Sequence, residues 1–221
     1  MMKKAFIFDL DGVIVDTAKY HFLAWQNLAN SLGISFSEEQ NEQLKGVSRV
    51  RSLEKILEWG NKTLSEEEFT KLMSKKNEEY LVYISKMDTS EILPDVPRVL
   101  DYLISNDQAI ALGSASKNAR VILDKVQLTA KFHAIVDGTN VSKAKPDPEV
   151  FLIGAQELGV SPENCIVFED SVAGVQAANN ANMISIGIGD AEVLHEADYI
   201  FNDFTEIREE FINNLVSAKK V

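Results

Sequence analysis

The chain has 221 residues, of which 45% are hydrophobic and 25% charged, and a formal net charge of -12. That is one domain or two small ones with length for a sizeable core, and its acidity argues against nucleic acid or an anionic membrane surface as partner. One cysteine, Cys165, excludes an internal disulfide and suits a reducing cytoplasm.

No apolar window reaches transmembrane length, and the Met1-Met2-Lys3-Lys4 start mimics a signal peptide whose apolar run is cut short by Asp9. Ala5, Phe6, Ile7 and Phe8 have no polar side chain, as expected of a strand covered on both faces in a parallel sheet. The run ends in Asp9-Leu10-Asp11-Gly12. Alternation turns both carboxylates the same way and Leu10 toward the core, while Gly12 permits a sharp exit. Alone, this reads as an Asp-Gly turn or as a site at a strand's carboxyl end, where parallel sheets bind ligands.

Asp16 and Thr17 are N-cap candidates for a helix running to about residue 32, closed by Gly33. Thr17, His21, Trp25, Leu28 and Leu32 share one of its faces. His21 reads as a packing histidine or, because that face begins at the Asp11 loop, as a group overhanging a site. Helical patterning continues over 38–44, 50–59 and 65–84, with a capping box at Ser65-Glu66-Glu67-Glu68. Lys45-Gly46-Val47-Ser48-Arg49 breaks the pattern and, without context, reads as a solvated turn. Lys75-Lys76-Asn77 reads as a charged outer helix face. Residues 17–87 therefore form an all-helical block, with 1–16 and 88–221 as the core domain.

Residues 88–97 read as a hinge, followed by a helix over 95–105. Strands are expected at 109–113, 134–136, 165–168, 184–186 and 197–201, and helices at 120–126, 148–158, 171–181 and 204–216. The alternation predicts an α/β fold, a parallel sheet wrapped by helices. Asp9/Asp11, Ser114 and Glu169/Asp170 then open onto one sheet edge.

Four carboxylates in one place need neutralising, and a hard cation such as magnesium, with oxygen ligands and substrate phosphate, is the natural partner. Lys145, ahead of Pro146 and Pro148, is the candidate fixed cation, and Ser114 offers a hydroxyl for phosphoryl oxygens. One carboxylate can attack phosphorus while the second moves a proton.

Asp9-Leu10-Asp11-Gly12, Ser114, Lys145-Pro146-Asp147-Pro148 and Glu169-Asp170, in that order, resemble the four motifs of the haloacid dehalogenase superfamily. Lys143 lies two residues before Lys145, so the Lys-Pro-x-Pro context selects Lys145. The resemblance implies a Rossmann-like core with a helical cap domain inserted after the first strand. It implies Asp9 as nucleophile, Asp11 as general acid/base, and Ser114 and Lys145 as the phosphoryl-binding pair. Magnesium would sit on Asp9, the Asp11 carbonyl, Glu169 and Asp170. A true dehalogenase is disfavoured, since it does not need the second aspartate.

Thr17, His21, Ala24-Trp25, Lys45 to Arg49 and Ser114 to Asn118 further resemble the β-phosphoglucomutases. That implies interconversion of β-D-glucose 1-phosphate and D-glucose 6-phosphate through β-glucose 1,6-bisphosphate, with one Mg2+ per chain. It places Arg49 and Ser116-Lys117-Asn118 on the phosphate that is not being transferred, Gly46 and Val47 along the sugar, and His21 between cap closure and acid/base work. Thr17, Trp25, Lys45, Ser48, Lys76 and Ala115 join them as catalytic or binding positions. The expected enzyme is a cytoplasmic monomer acting on a small sugar phosphate. Its rivals are a sugar-phosphate phosphatase, which needs no grip on a second phosphate, and a non-catalytic phosphate-binding module.

Overall fold

The structure, a computed structural model, describes residues 4–217; the Met1-Met2-Lys3 segment lies outside them. Six parallel strands form one sheet in the order β3-β2-β1-β4-β5-β6. They are β1 (Ala5–Phe8), β2 (Ala109–Gly113), β3 (Ala134–Val136), β4 (Cys165–Glu169), β5 (Ile184–Ile188) and β6 (Tyr199–Phe201). Central β1 is wholly buried. Phe6 and Phe8 face one apolar cluster and Ala5 and Ile7 the other, the two-residue alternation of a strand sandwiched between helix layers. Phe8 stacks on Phe168 of β4 with ring centroids 4.6 Å apart, and Phe168 reaches Phe204 at 5.4 Å. Pairing is in register, Phe8 lying opposite Leu112 on one side and Phe168 on the other, so β1, β2 and β4 run out at one level.

Between β1 and β2 come α1 (Ala18–Ser31), α2 (Glu38–Glu42), α3 (Arg49–Trp59), α4 (Glu66–Ile84) and α5 (Val96–Ser105). Helices α1 to α3 enclose an apolar cluster of their own, including Trp25, Leu28, Phe36, Leu53 and Ile56. Two connecting segments join this helical block to the sheet, and they run side by side. Asp16 N–H donates to Glu91 O and Leu93 N–H to Ile14 O, both at 3.0 Å, around an antiparallel bridge between Val15 and Ile92. Helices α6 (Ala119–Lys125), α7 (Glu149–Leu158) and α8 (Val172–Asn180) alternate with the later strands, and α9 (Glu209–Ser217) closes the described chain. No helix among the described residues is long and apolar enough to cross a membrane.

Some expected elements are shorter than their patterns, two of them where side chains bind the backbone. The helix expected over 204–216 is a 3-10 turn at Phe204–Glu206 followed by α9. At the break the Arg98 guanidinium donates to the Phe204 and Ile207 carbonyls at 3.0 and 2.9 Å, while Phe204 O also accepts the Ile207 N–H that closes the turn. The strand expected from residue 197 begins at Tyr199, because Asp198 and Ser185 satisfy each other's backbone through side chains.

Candidate active site

Three coplanar strand ends build the floor. Asp9 follows β1, and its N–H still donates to Phe168 O at 2.9 Å, so the sheet fixes where the carboxylate starts. Lys145 Nζ reaches Asp9 Oδ1 and Glu169 Oε1, each at 2.5 Å, and the Gly113 carbonyl at 3.1 Å. The other Asp9 oxygen accepts the Asp11 N–H at 3.0 Å. Lys145 is therefore the buried cation of the floor, whereas Lys143 is exposed and pairs with Asp147.

Gly12 brings the chain over Asp170. Its φ is +83°, and a Cβ there would stand 2.1 Å from Asp170 Oδ2, so this turn admits no side chain. Gly46 does the same from the helical block: with φ +68°, its Cβ would stand 2.3 Å from Ser171 Oγ. The Lys45–Arg49 segment is thus not a solvated turn; it lies on the sheet edge, and Lys45 Nζ approaches Asp170 Oδ2 to 3.6 Å and Glu42 to 2.8 Å.

Thr17 holds the N-cap position of α1 without capping it; its hydroxyl donates to Asp11 Oδ1 instead. His21 Nε2 stands 3.9 Å from the same oxygen. His21 Nδ1 lies 3.1 Å from Lys76 Nζ, which also sits over the rings of Trp25 and Tyr80 at 4.5 and 4.6 Å. The outer-face reading of Lys76 is therefore wrong: it is only 2% exposed, on the inner side of α4. Beside it, Asn77 accepts from Asn118 Nδ2 at 3.0 Å, a further contact between helical block and sheet edge.

Asp9, Asp11, Gly12, Thr17, His21, Trp25, Lys45, Gly46, Lys76, Asn118, Lys145 and Asp170 open onto one cavity of about 420 Å³, which Arg49, Ser48, Val47, Ser116 and Lys117 also line; Glu169 does not line it. Ser114 does not line it. It is fully buried and its hydroxyl accepts the Ser116 N–H at 3.1 Å, shaping the loop whose residues Ala115 to Asn118 do. Asn41, Ser52, Met73, Tyr80 and the loop 138–144 line it as well and were not read from sequence. Two signals were available. Ser52 is three residues from Arg49, and Met73 and Tyr80 stand three before and four after Lys76, so each shares a helix face with a cation already singled out. The loop after β3 leaves the same sheet edge as the others.

Burial, opposed by the Lys145 charge, raises the Asp9 pKa to about 7, and burial beside Glu169 drives Asp170 well above the ordinary carboxylate value. Asp11 is raised by burial too, with Thr17 pulling the other way. Opposite effects govern the bases: burial lowers Lys76 to about 7 and holds His21 well below the usual histidine value. In Lys145, burial is outweighed by Asp9 and Glu169, and its pKa is raised.

This donor set suits a hard divalent cation, because crowded carboxyl groups with raised pKa values are relieved by one. No group of three His, Cys, Asp or Glu side chains able to hold a metal occurs among the described residues. Glu169 is already committed, through Lys145 on one oxygen and the Ser171 N–H and hydroxyl, at 3.0 and 2.9 Å, on the other. Asp9 and Asp170 are thus the side chains placed to hold such an ion, completed by backbone carbonyl, water and phosphate oxygens in the manner usual for magnesium.

The low Lys76 pKa has a consequence for stability. Its folded pKa lies below the value for a free lysine, so the unfolded chain binds the extra proton between about 7 and 10.5, and stability rises with pH over that window. Lys76→Met is expected to raise the melting temperature at pH 6 by about 3–6 °C, and by much less at pH 9. Melting curves at the two pH values check this.

The haloacid dehalogenase-like hydrolase family model matches residues 3–182. The chain belongs to that family. Among its relatives, the β-phosphoglucomutase of Bacillus subtilis is 42% identical, over 95% of this chain and 94% of the relative. A phosphorylated carbohydrates phosphatase of Thermotoga maritima is 30% identical, over 88% and 91%. The crystal structure of β-phosphoglucomutase from Clostridium difficile superposes with a TM-score of 0.93 at 43% identity, covering 97% of each chain. Family membership accounts for the α/β core and for the order in which its strand ends carry the site groups.

Proposed function

We propose that this chain is a β-phosphoglucomutase, interconverting β-D-glucose 1-phosphate and D-glucose 6-phosphate through β-glucose 1,6-bisphosphate and an aspartyl phosphate on Asp9. The observation that carries the proposal is a second cationic wall, Arg49 and Lys117 with Lys76 nearby, lining the same cavity as Asp9 and Asp11. Hydrolysis needs one phosphate site; a mutase must grip a sugar phosphorylated at either end. The 42% identity to the Bacillus subtilis β-phosphoglucomutase supports the same reading.

In this reading an Asp9 carboxylate oxygen attacks phosphorus and the bond to the departing oxygen breaks, Asp11 supplying the proton that oxygen needs. In the return step a sugar hydroxyl attacks the aspartyl phosphate, Asp11 takes its proton, and Asp9 is released. Lys145 opposes the effect of burial on Asp9 and so favours its anionic form, and it neutralises charge gathering on the phosphoryl group, with the Ser114–Asn118 loop presenting polar groups to it. Asp9, the Asp11 carbonyl, Glu169 and Asp170 would hold Mg2+, which would add charge neutralisation to the phosphoryl oxygens. The helical block acts as a cap that excludes water while Thr17 and His21 hold Asp11 in place. The proposed site groups all come from one chain, which is in keeping with a monomer, and a cytoplasmic location is proposed with it.

The decisive assay supplies β-glucose 1-phosphate, magnesium and a trace of the 1,6-bisphosphate. Dominant glucose 6-phosphate supports the mutase; dominant free phosphate supports a sugar-phosphate phosphatase, the reading that the Thermotoga maritima relative keeps in view. Arg49→Lys replaces a forked donor by a point charge and is expected to lower mutase turnover about tenfold or more. Unchanged steady-state turnover would remove Arg49 from the phosphate site.

A further inference from the structure

The hydroxyl of Tyr80 is out of place in a well-satisfied interior. The residue is only 1% exposed, yet its oxygen has no hydrogen-bond partner, an omission that costs free energy wherever a phenol is buried. Tyr80 lines the cavity from α4, four residues after Lys76. Its ring is packed by the His21 ring at 4.3 Å and by Lys76 Nζ at 4.6 Å, which are themselves neighbours at 3.1 Å. Its surroundings also identify the group it addresses. Burial and the Asp11 charge push its pKa well above the usual phenol value, while the Thr17 hydroxyl pulls the other way. The two hydroxyls are close enough to interact, yet the Tyr80 oxygen makes no hydrogen bond of ordinary geometry.

Counting donors fixes the direction of any bond between them. Thr17 has one hydroxyl hydrogen, and it is spent on Asp11 Oδ1. Only lone pairs remain on Thr17, so Tyr80 must be the donor. Building on the mutase reading, we propose that Tyr80 is a positioning residue for the acid/base carboxyl: its O–H donates to Thr17 Oγ1, completing a chain Tyr80–Thr17–Asp11 that sets the orientation of Asp11. A small shift of α4 against α1 closes the last link. Lys76 rides on the same turn of α4, so a ligand that draws Lys76 toward it also seats Tyr80. Binding across the cavity is thereby coupled to the readiness of Asp11, and water, which offers Lys76 no phosphate, does not produce that coupling.

The test compares wild type, Tyr80→Phe, Thr17→Val and the double variant in conversion of β-glucose 1-phosphate with magnesium and the 1,6-bisphosphate present. Tyr80→Phe should lower kcat about tenfold with KM within twofold, and should melt no lower than wild type, since Phe keeps the ring contacts and removes an unpartnered group. Adding Tyr80→Phe to Thr17→Val should cause no further loss, because the chain is already cut. Thr17→Ser, which keeps the hydroxyl, should stay sensitive to Tyr80→Phe, and it serves in place of Thr17→Val should that variant fold poorly. A Tyr80→Phe kcat within twofold of wild type, or losses that multiply in the double variant, overturn the proposal. If wild type yields free phosphate, the mutase reading fails on its own, and the same comparison made on phosphate release still decides the Tyr80 role, because Asp11 moves the proton in either reaction.

Discussion

Asp9→Asn is expected to abolish turnover, by about 10⁴-fold or more, while leaving the fold intact. The amide keeps the size of the carboxylate and an oxygen that can still accept from Lys145 or from the Asp11 N–H, the two donors that hold Asp9 now. What it loses is the anionic oxygen that attacks phosphorus. Incubation with the bisphosphate followed by mass spectrometry should show an acid-stable, base-labile phosphoryl adduct on wild type and none on the variant. Residual turnover within about a hundredfold of wild type would mean that another group is phosphorylated.

Lys145→Met should be the most damaging single change for stability at neutral pH, costing about 3–5 kcal/mol. Lys145 is the shared partner of Asp9 and Glu169 and is buried with them. Without it, two carboxyl groups remain in the floor with no fixed cation between them. The sign of the pH response follows. Lys145 lowers the Asp9 pKa, so without it the folded variant holds a proton on Asp9 that the unfolded state releases, and the deficit shrinks as the pH falls from neutral toward the ordinary carboxylate range. Denaturant titrations of chelator-treated protein at pH 7.5 and 5.5 measure it. An equal deficit at both would show that the cost lies in packing, where Lys145 Nζ also sits 4.8 Å from the centre of the Phe151 ring.

What the sequence disclosed was what neighbouring residues decide. The apolar run into Asp9 and Asp11, the glycine after it and the strand ends at Ser114 and Glu169 were legible because strand alternation and the parallel-sheet rule need only local pattern. Lys76 was misread for a physical reason: α4 carries charge on several faces, Glu-Glu-Glu at its start and Lys-Lys-Asn-Glu-Glu in its middle, so no apolar stripe marks the side that faces the cavity. The same ambiguity hid Tyr80. The break before α9 is bound by Arg98, 106 residues from Phe204, a contact that no window along the chain can connect. Ser114 was placed correctly at the strand end, but whether a hydroxyl faces a cavity or its own loop is settled by a single rotamer.

The paired connections between sheet and helical block limit how the block can travel. Because Ile14 to Asp16 and Glu91 to Leu93 are laced by backbone hydrogen bonds, the block hangs on a two-ply strap instead of two independent tethers. Such a strap can twist and flex across its flat face but resists one ply sliding past the other, so a block moving on it would swing about one axis and bring Thr17 back to the same spot beside Asp11. Lengthening either ply by one residue would throw the lacing out of step and turn a repeatable door into a loose flap.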